Sequence, residues 1–244
     1  NYIMNKNISN IPFDRMKSLL SIFKGSKDLI IFDIGANIGQ TIDEMLKFFP
    51  KSKIFSFEPQ PDIYKKLNEK YKNYNNVTTF KLGLSNTKNN LSLYLNSANN
   101  SVSSSLNPLN LESSAIKRNL HPKENFHKNK NQKIIPVEVD TLDNICENTN
   151  VSNIDILKLD TQGHELEILE GAKKLLKNKK IKVVISECMF DDLYVNSRKI
   201  APGLFNTMYQ NQFYLYDISH IYKDYERNQT LWADFIFIHS DYLL

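Results

Sequence analysis

The segment Leu29–Thr41, LIIFDIGANIGQT, constrains the fold more than any other stretch of the chain. A short apolar run, Leu29–Phe32, ends in Asp33; glycines follow at Gly35 and Gly39, and a helical pattern begins at about Gln40. Apolar run, glycine turn and helix, in that order, predict the first unit of a doubly wound α/β sheet. Gly35 lets the chain leave the strand at backbone angles a side chain resists. Gly39 lets the helix start close to whatever lies over the turn. The free N–H groups and partial positive charge of the helix N-terminus then face the carboxyl end of the sheet, where a nucleotide-like ligand is held.

Spacing narrows the ligand. In the dinucleotide pattern G-x-G-x-x-G the middle glycine gives a pyrophosphate room. Asn37 stands at that position here, and its side chain crowds a diphosphate. The pattern D-x-G-x-N-x-G therefore suits a ligand with an adenosine but no diphosphate, S-adenosylmethionine rather than NAD. The bland alternative is a glycine-rich turn in an ordinary α/β domain.

The rest of the chain repeats the strand–helix rhythm and predicts one domain over residues 1–244. Residues 1–28 form an N-terminal helical segment, with Met16, Leu19, Leu20 and Phe23 at helical spacing. Ile42, Met45, Leu46 and Phe49 mark a helix that Pro50 stops. Lys53–Phe57 is the second strand, a helix opens at Pro61, and Val77–Leu82 is the third strand. Residues 83–139 then break the rhythm. Leu91–Leu95 and Ile134–Val139 alternate as paired strands do, around an Asn- and Ser-rich stretch, Asn96–Ser105. This reads as an insertion after strand three on the ligand side of the sheet, serving as a lid over a substrate. Thr141 caps a short helix, and Ile154–Leu159 is the fourth strand. A helix beginning near Gly163 carries Leu166 to Leu176 inward and an outward Glu170–Lys174 pair. Ile181–Ser186 is the fifth strand. Phe213–Tyr216 and Ala233–His239 are the last two, paired antiparallel because Asp217–Trp232 is too short and polar for a crossover helix.

Composition excludes several classes. The net charge of +4 comes from scattered lysines without a basic stripe bearing aromatics, which does not suggest a nucleic-acid partner. Cys146 and Cys188 have neither metal-ligand spacing nor a disulfide framework, so a reducing, cytoplasmic setting is expected and no metal site is assigned. No apolar run is long enough to span a bilayer. Homo-oligomerisation stays open.

Four expected strands end in an acid: Asp33, Glu58, Asp160 and Glu187. Ligands of open α/β sheets bind outside the carboxyl ends of the strands, so four carboxylates arriving there mark a site. Glu58 lies about twenty residues past the glycine turn, where an acid binds ribose hydroxyls. The run Asp160–Glu165, DTQGHE, is the densest polar cluster. His164 titrates near neutrality and is a candidate for proton removal. Asp160 is expected to position and to favour a cationic ligand, and Glu165 and Glu187 are further catalytic candidates.

Together these motifs resemble the FkbM-type S-adenosylmethionine-dependent methyltransferases. The matching segments are DIGANIGQ at Asp33–Gln40, FEPQP at Phe57–Pro61, GLSN at Gly83–Asn86, VDTLD at Val139–Asp143, LKLDTQGHELEILEGA at Leu157–Ala172, and Ser186-Glu187. The resemblance implies a class I, Rossmann-like methyltransferase fold with a seven-stranded sheet in the order 3-2-1-4-5-7-6. It implies O-methylation of a hydroxyl on a sugar, glycan or secondary metabolite. It also implies cofactor contacts from Asp33, Gly35, Ala36, Asn37, Gly39, Glu58, Pro59, Gly83, Leu84 and Asp160. The family often has Val-Glu-Gly where this chain has Thr161-Gln162-Gly163, which removes one acid. Two other readings are an NAD-dependent oxidoreductase or epimerase, which Asn37 disfavours, and a methyltransferase-like protein that only binds, which the intact glycines and acids disfavour.

Overall fold

A computed structural model describes residues 15–26, 28–95, 104–117, 132–224 and 228–243. In chain order the strands are β1 (Ile30–Ile34), β2 (Lys53–Phe57), β3 (Val77–Phe80), β4 (Gly83–Leu84), β5 (Asn89–Leu95), β6 (Lys133–Asp140), β7 (Ile154–Leu159), β8 (Ile181–Met189), β9 (Phe213–Asp224) and β10 (Gln229–His239). The helices are α1 (Arg15–Ile22), α2 (Gln40–Phe48), α3 (Pro61–Tyr71), α4 (Ser114–Lys117), α5 (Leu142–Asn148), α6 (Glu165–Glu170), α7 (Lys173–Lys177) and α8 (Ile200–Gln210).

Seven strands form one sheet in the order β3-β2-β1-β7-β8-β10-β9, the order expected from the sequence. Strands β3 to β8 of that sheet pair in parallel, and β10 runs antiparallel to both β8 and β9. This is the class I methyltransferase arrangement. Side chains alternate across each strand: Ile31 faces a core built with Met16, Leu19, Ile42, Met45 and Leu67, from α1, α2 and α3. Phe32 and Ile34 face the opposite core, built with Leu142, Ile168, Leu176 and Leu204 from α5 to α8. With both faces covered, the central strands need apolar residues at nearly every position, which is why they read so clearly.

The insertion adds a second sheet, β4-β6-β5, in which β5 and β6 pair antiparallel from Asn89 with Val139 to Leu95 with Lys133. Between them, Leu109 and Ile116 meet Met189, Leu193, Tyr194 and Leu231 in a third, smaller core. Most of the Asn/Ser-rich stretch, residues 96–103, lies outside the described residues, as do residues 1–14 and 118–131.

Three local expectations need correction. The helix after Gly163 is two helices, α6 and α7. A Cβ on Gly171 would lie 2.1 Å from the Ser85 carbonyl oxygen, so the chain turns at the tight contact with the insertion. The Asp143 carboxylate then caps α7, accepting from the N–H groups of Lys174 (2.9 Å) and Leu175 (3.1 Å). The break re-pairs the surface charges: Glu170 meets Lys173 (2.8 Å) and Lys174 meets Glu147 (2.8 Å), not each other. Finally, β9 and β10 run much further than Phe213–Tyr216 and Ala233–His239. Residues of the expected loop extend the two strands into a long ribbon with shifts of register along it, and Tyr222 stacks on Trp232 with ring centroids 3.9 Å apart.

Candidate active site

The glycine turn is shaped by what lies against it. Gly35 has φ 79° and Gly39 φ 90°, the left-handed region that glycine enters without strain. A Cβ at Gly35 would sit 1.9 Å from the Asp160 carbonyl oxygen, so β1 and β7 can lie side by side at their ends only with glycine there. A Cβ at Gly39 would meet the Tyr71 ring at 2.4 Å; the Tyr71 hydroxyl is 2.7 Å from both the Gly39 carbonyl and Asp43 Oδ1. Asn37 is also left-handed, φ 49°.

Above the carboxyl ends of the parallel strands lies a cavity of about 280 Å³. On the β2–β3 side its wall is Phe57, Glu58, Pro59, Leu82, Gly83 and Leu84, with Leu93 of β5. Gly35, Ala36 and Asn37 form its middle. On the β7–β8 side stand Arg15, Lys158, Asp160, Thr161, Gln162 and Glu187. Ser104, Ser105 and Leu106 of the insertion also line it.

Glu58 is buried. Its Oε2 accepts from the Asn37 N–H (3.0 Å) and its Oε1 from the Gln60 N–H (2.8 Å). Each oxygen keeps lone-pair capacity toward the cavity. Burial pushes the carboxyl up to about 7, against the two backbone donors. Phe57, Leu82 and Leu84 make the wall beside this acid apolar.

The opposite end carries a charge network that sequence reasoning missed in part. Lys158 is buried, with Nζ 3.0 Å from Asp160 Oδ2 and 3.5 Å from Asp33 Oδ1. Burial disfavours the ammonium, but the two carboxylates outweigh it and hold its pKa above the ordinary value. Asp33 is wholly buried with no hydrogen-bond partner among the described residues, and burial raises its carboxyl. It therefore sits beneath the site, as part of the floor. Asp160 is open to the cavity over 37% of its side chain; despite burial of its carboxyl end, Lys158 keeps it below the usual range. Arg15, from α1, donates its Nε to Glu44 (2.9 Å) and reaches Asp234 at 3.4 Å. Lys158 is buried in β7 between Leu157 and Leu159, whereas the strand's other charged residue, Asp155, is only half-buried; nothing in the sequence pairs Arg15 with this cleft.

Two of the candidate catalytic residues are on the cavity wall and two are not. Asp160 and Glu187 line it. His164 is buried away from it, with Nε2 3.0 Å from Ser85 Oγ and a pKa lowered by burial. At the start of α6 the ring turns back onto the insertion, so its geometry supports docking of that segment. Glu165 is also buried, its Oε1 accepting from the N–H of Thr161 (2.9 Å), the Thr161 hydroxyl (2.9 Å) and the Gly163 N–H (3.3 Å). It holds the loop after β7 together from inside. No group of potential metal ligands occurs among the described residues.

The sheet order, the glycine turn after β1 and the acid that follows β2 occur in one frame, that of the class I methyltransferase fold. The chain belongs to the methyltransferase FkbM domain family, whose model matches residues 33–212. Among curated proteins it is similar to the 2-O-methyltransferase NoeI of Sinorhizobium fredii, 25% identical over 167 residues that cover 68% of this chain. It is likewise similar to the hexuronic acid methyltransferase AglP of Haloferax volcanii, 25% identical over 160 residues and 65% of this chain. The matched regions cover 66% and 56% of those relatives, so the chain spans less than two thirds of their length. The crystal structure of methyltransferase FkbM from Methylobacillus flagellatus shares the fold, with TM-score 0.53, 14% identity, and 86% of this chain against 44% of that one.

Proposed function

We propose that this chain transfers a methyl group from S-adenosylmethionine to a hydroxyl of a sugar or glycan. The observation that carries the reading is one cavity with Glu58 at one end and the Asp160–Glu187 pair at the other. Glu58 accepts hydrogen bonds from the two ribose hydroxyls. Asn37, crowding a diphosphate, selects against NAD. The carboxylate of Asp160, held ionised by Lys158, favours a positive charge beside it, as the sulfonium of this cofactor has. Two relatives named for sugar-directed methylation favour a hydroxylated acceptor, as do Ser104 and Ser105 on the insertion wall.

The cofactor, when bound, supplies an electrophilic methyl group. The chain's own work is to orient an acceptor hydroxyl and take its proton, because an alcohol is a poor nucleophile until the proton has somewhere to go. Glu187 is the side chain for that role: it faces the cavity, and burial together with Asp160, Asp234 and Glu165 raises its carboxyl well above the usual range, toward a useful proton acceptor. Its Oε takes the hydroxyl proton as the oxygen gains the methyl group. Asp160, held ionised by Lys158, stays a fixed negative charge.

Tritium transfer from methyl-labelled S-adenosylmethionine to a panel of uronic acids, deoxyhexoses and hexose oligosaccharides tests the reading. Labelling of a sugar hydroxyl is expected, and Glu187→Gln should lower it about a hundredfold or more, as for loss of a general base. Label appearing only on amines or carboxylates would contradict it.

A further inference from the structure

The loop after β7 holds Gln162 in the left-handed region, φ 56°, followed by Gly163 at φ 97°. This conformation aims the Gln162 side chain across the mouth of the charge network. Its Nε2 donates to Glu187 Oε2 (2.7 Å) and to Asp160 Oδ1 (3.1 Å). Its Oε1 accepts from the Tyr194 hydroxyl (3.2 Å). An amide offers two donors on one side and one acceptor on the other. Two carboxylates on one side and a hydroxyl on the other therefore leave a single orientation. The reverse would set a carbonyl oxygen against two carboxylates.

The backbone of this loop is fixed from three directions. Glu165 binds it from beneath. The Ser105 hydroxyl donates to the Gln162 carbonyl (2.7 Å), and the Asn107 amide donates to the Gly163 carbonyl. Tyr194 is buried in the small core with Leu109 and Leu193. It is thus a rigid post.

We propose that Gln162 is a positioning residue: its amide, aimed by Tyr194, holds the Glu187 carboxylate ionised and fixed beside Asp160, ready to accept the acceptor's proton. The proposal rests on the reading of Glu187 as proton acceptor. The charges around Glu187 show why such a donor matters. Asp160 on the β7 loop, Asp234 opposite it on β10 and Glu165 on α6 all disfavour a further negative charge. Lys158 on β7 favours it, while Arg15 and His220 are engaged with Asp234 (3.4 and 3.1 Å) and Asp33 shares Lys158. Among the described residues, Gln162 is the hydrogen-bond donor that reaches the Glu187 carboxylate. A donor to the charged form favours that form. Glutamate at 162, the residue of the resembled motif, would replace both donors with a third carboxylate. Glutamine here thus changes how the neighbouring acid is held.

The test is the titration of Glu187 itself, followed by carbon-13 NMR of the full chain labelled at the glutamate δ-carbon, the signal assigned by its loss in Glu187→Gln. Gln162→Met keeps an unbranched side chain of similar length without donors. It should raise the Glu187 midpoint by about one pH unit or more, tenfold in proton affinity. Tyr194→Phe, which removes only the hydroxyl, should move the midpoint the same way by less, and it decides alone if Gln162→Met fails to fold. Unchanged or lowered midpoints overturn the proposal. A parent that titrates as expected but binds neither S-adenosylmethionine nor S-adenosylhomocysteine would sink the methyltransferase reading and leave the clamp standing.

Discussion

Glu58 combines two demands that conflict. It is buried, which favours the neutral acid, yet the proposed reading of two ribose hydroxyls requires the ionised one. With its carboxyl at about 7 before ligand binds, cofactor affinity should rise between pH 6 and pH 8 as the acid ionises. Glu58→Gln should weaken S-adenosylhomocysteine about tenfold or more, the equivalent of a charge-assisted hydrogen bond, and remove that pH dependence. Folding of the free chain has the opposite slope. The folded carboxyl is raised above its unfolded value of about 4.3, so its contribution is complete below that pH and is lost as pH climbs through about 7. Urea midpoints should show a falling stability over this window in the parent and a flatter one in Glu58→Gln. Lys158 permits a second prediction. Lys158→Met leaves the buried Asp33 and the part-exposed Asp160 without their cation, and loss of one partner from a buried charge cluster costs roughly 3–5 kcal/mol. Chemical denaturation should show a loss of that order, and Asp33→Asn added to Lys158→Met should recover part of it. At this scale the sequence exposed Glu58 and Asp160, which directly follow β2 and β7, because strand ends meet the ligand edge; Asp33 and Glu187, expected at strand ends too, lie inside β1 and β8, and β8 runs on to Met189. It exposed neither Lys158, which needed knowledge of which strand face is buried, nor the turning of His164 away from the cleft, which the contact with Ser85 determines.

The elements that frame the cleft differ in how they are held. The parallel strands share two large cores, whereas the insertion is pinned by Leu109, Ile116 and their few partners. Leu109→Ala should therefore act locally. A Leu→Ala change at a buried site costs about 2–5 kcal/mol, and here the loss should fall on the insertion and on residues 189–198. Hydrogen exchange should rise in those segments while β1, β7 and β8 keep the protection of the parent. Uniform acceleration across the sheet would mean that the insertion is part of the main cooperative unit. Helix starts and strand cores were legible from periodicity, and Thr141 does cap α5, accepting from the Asn144 N–H (3.1 Å). The division of α6 from α7 was not, since it depends on Gly171 against Ser85 and on the Asp143 cap from a distant element. The length of β9 was hidden for a similar reason. An edge strand with one partner tolerates polar residues that a central strand does not.

On the scale of the whole molecule, the sheet order and the place of the insertion over the carboxyl ends of the strands follow from one asymmetry. Every crossover in the parallel part returns its strand to the same direction, so Glu58, Asp160 and Glu187, at or near the carboxyl ends of their strands, meet in one cavity, with Asp33 buried outside its lining. That asymmetry is written in the sequence as repeated apolar runs ending in Asp33, Glu58, Asp160 and Glu187. The acceptor is not written there, because the insertion and the loops around the cavity obey no period. The central claim is that this edge binds an adenosine-bearing sulfonium cofactor through Glu58. Isothermal calorimetry of the parent and Glu58→Gln against S-adenosylmethionine, S-adenosylhomocysteine and NAD tests it most directly. The account predicts binding of the first two by the parent, weakened about tenfold or more in Glu58→Gln, and no heat with NAD. Binding of NAD by the parent, or equal S-adenosylmethionine affinity in the two proteins, would contradict it.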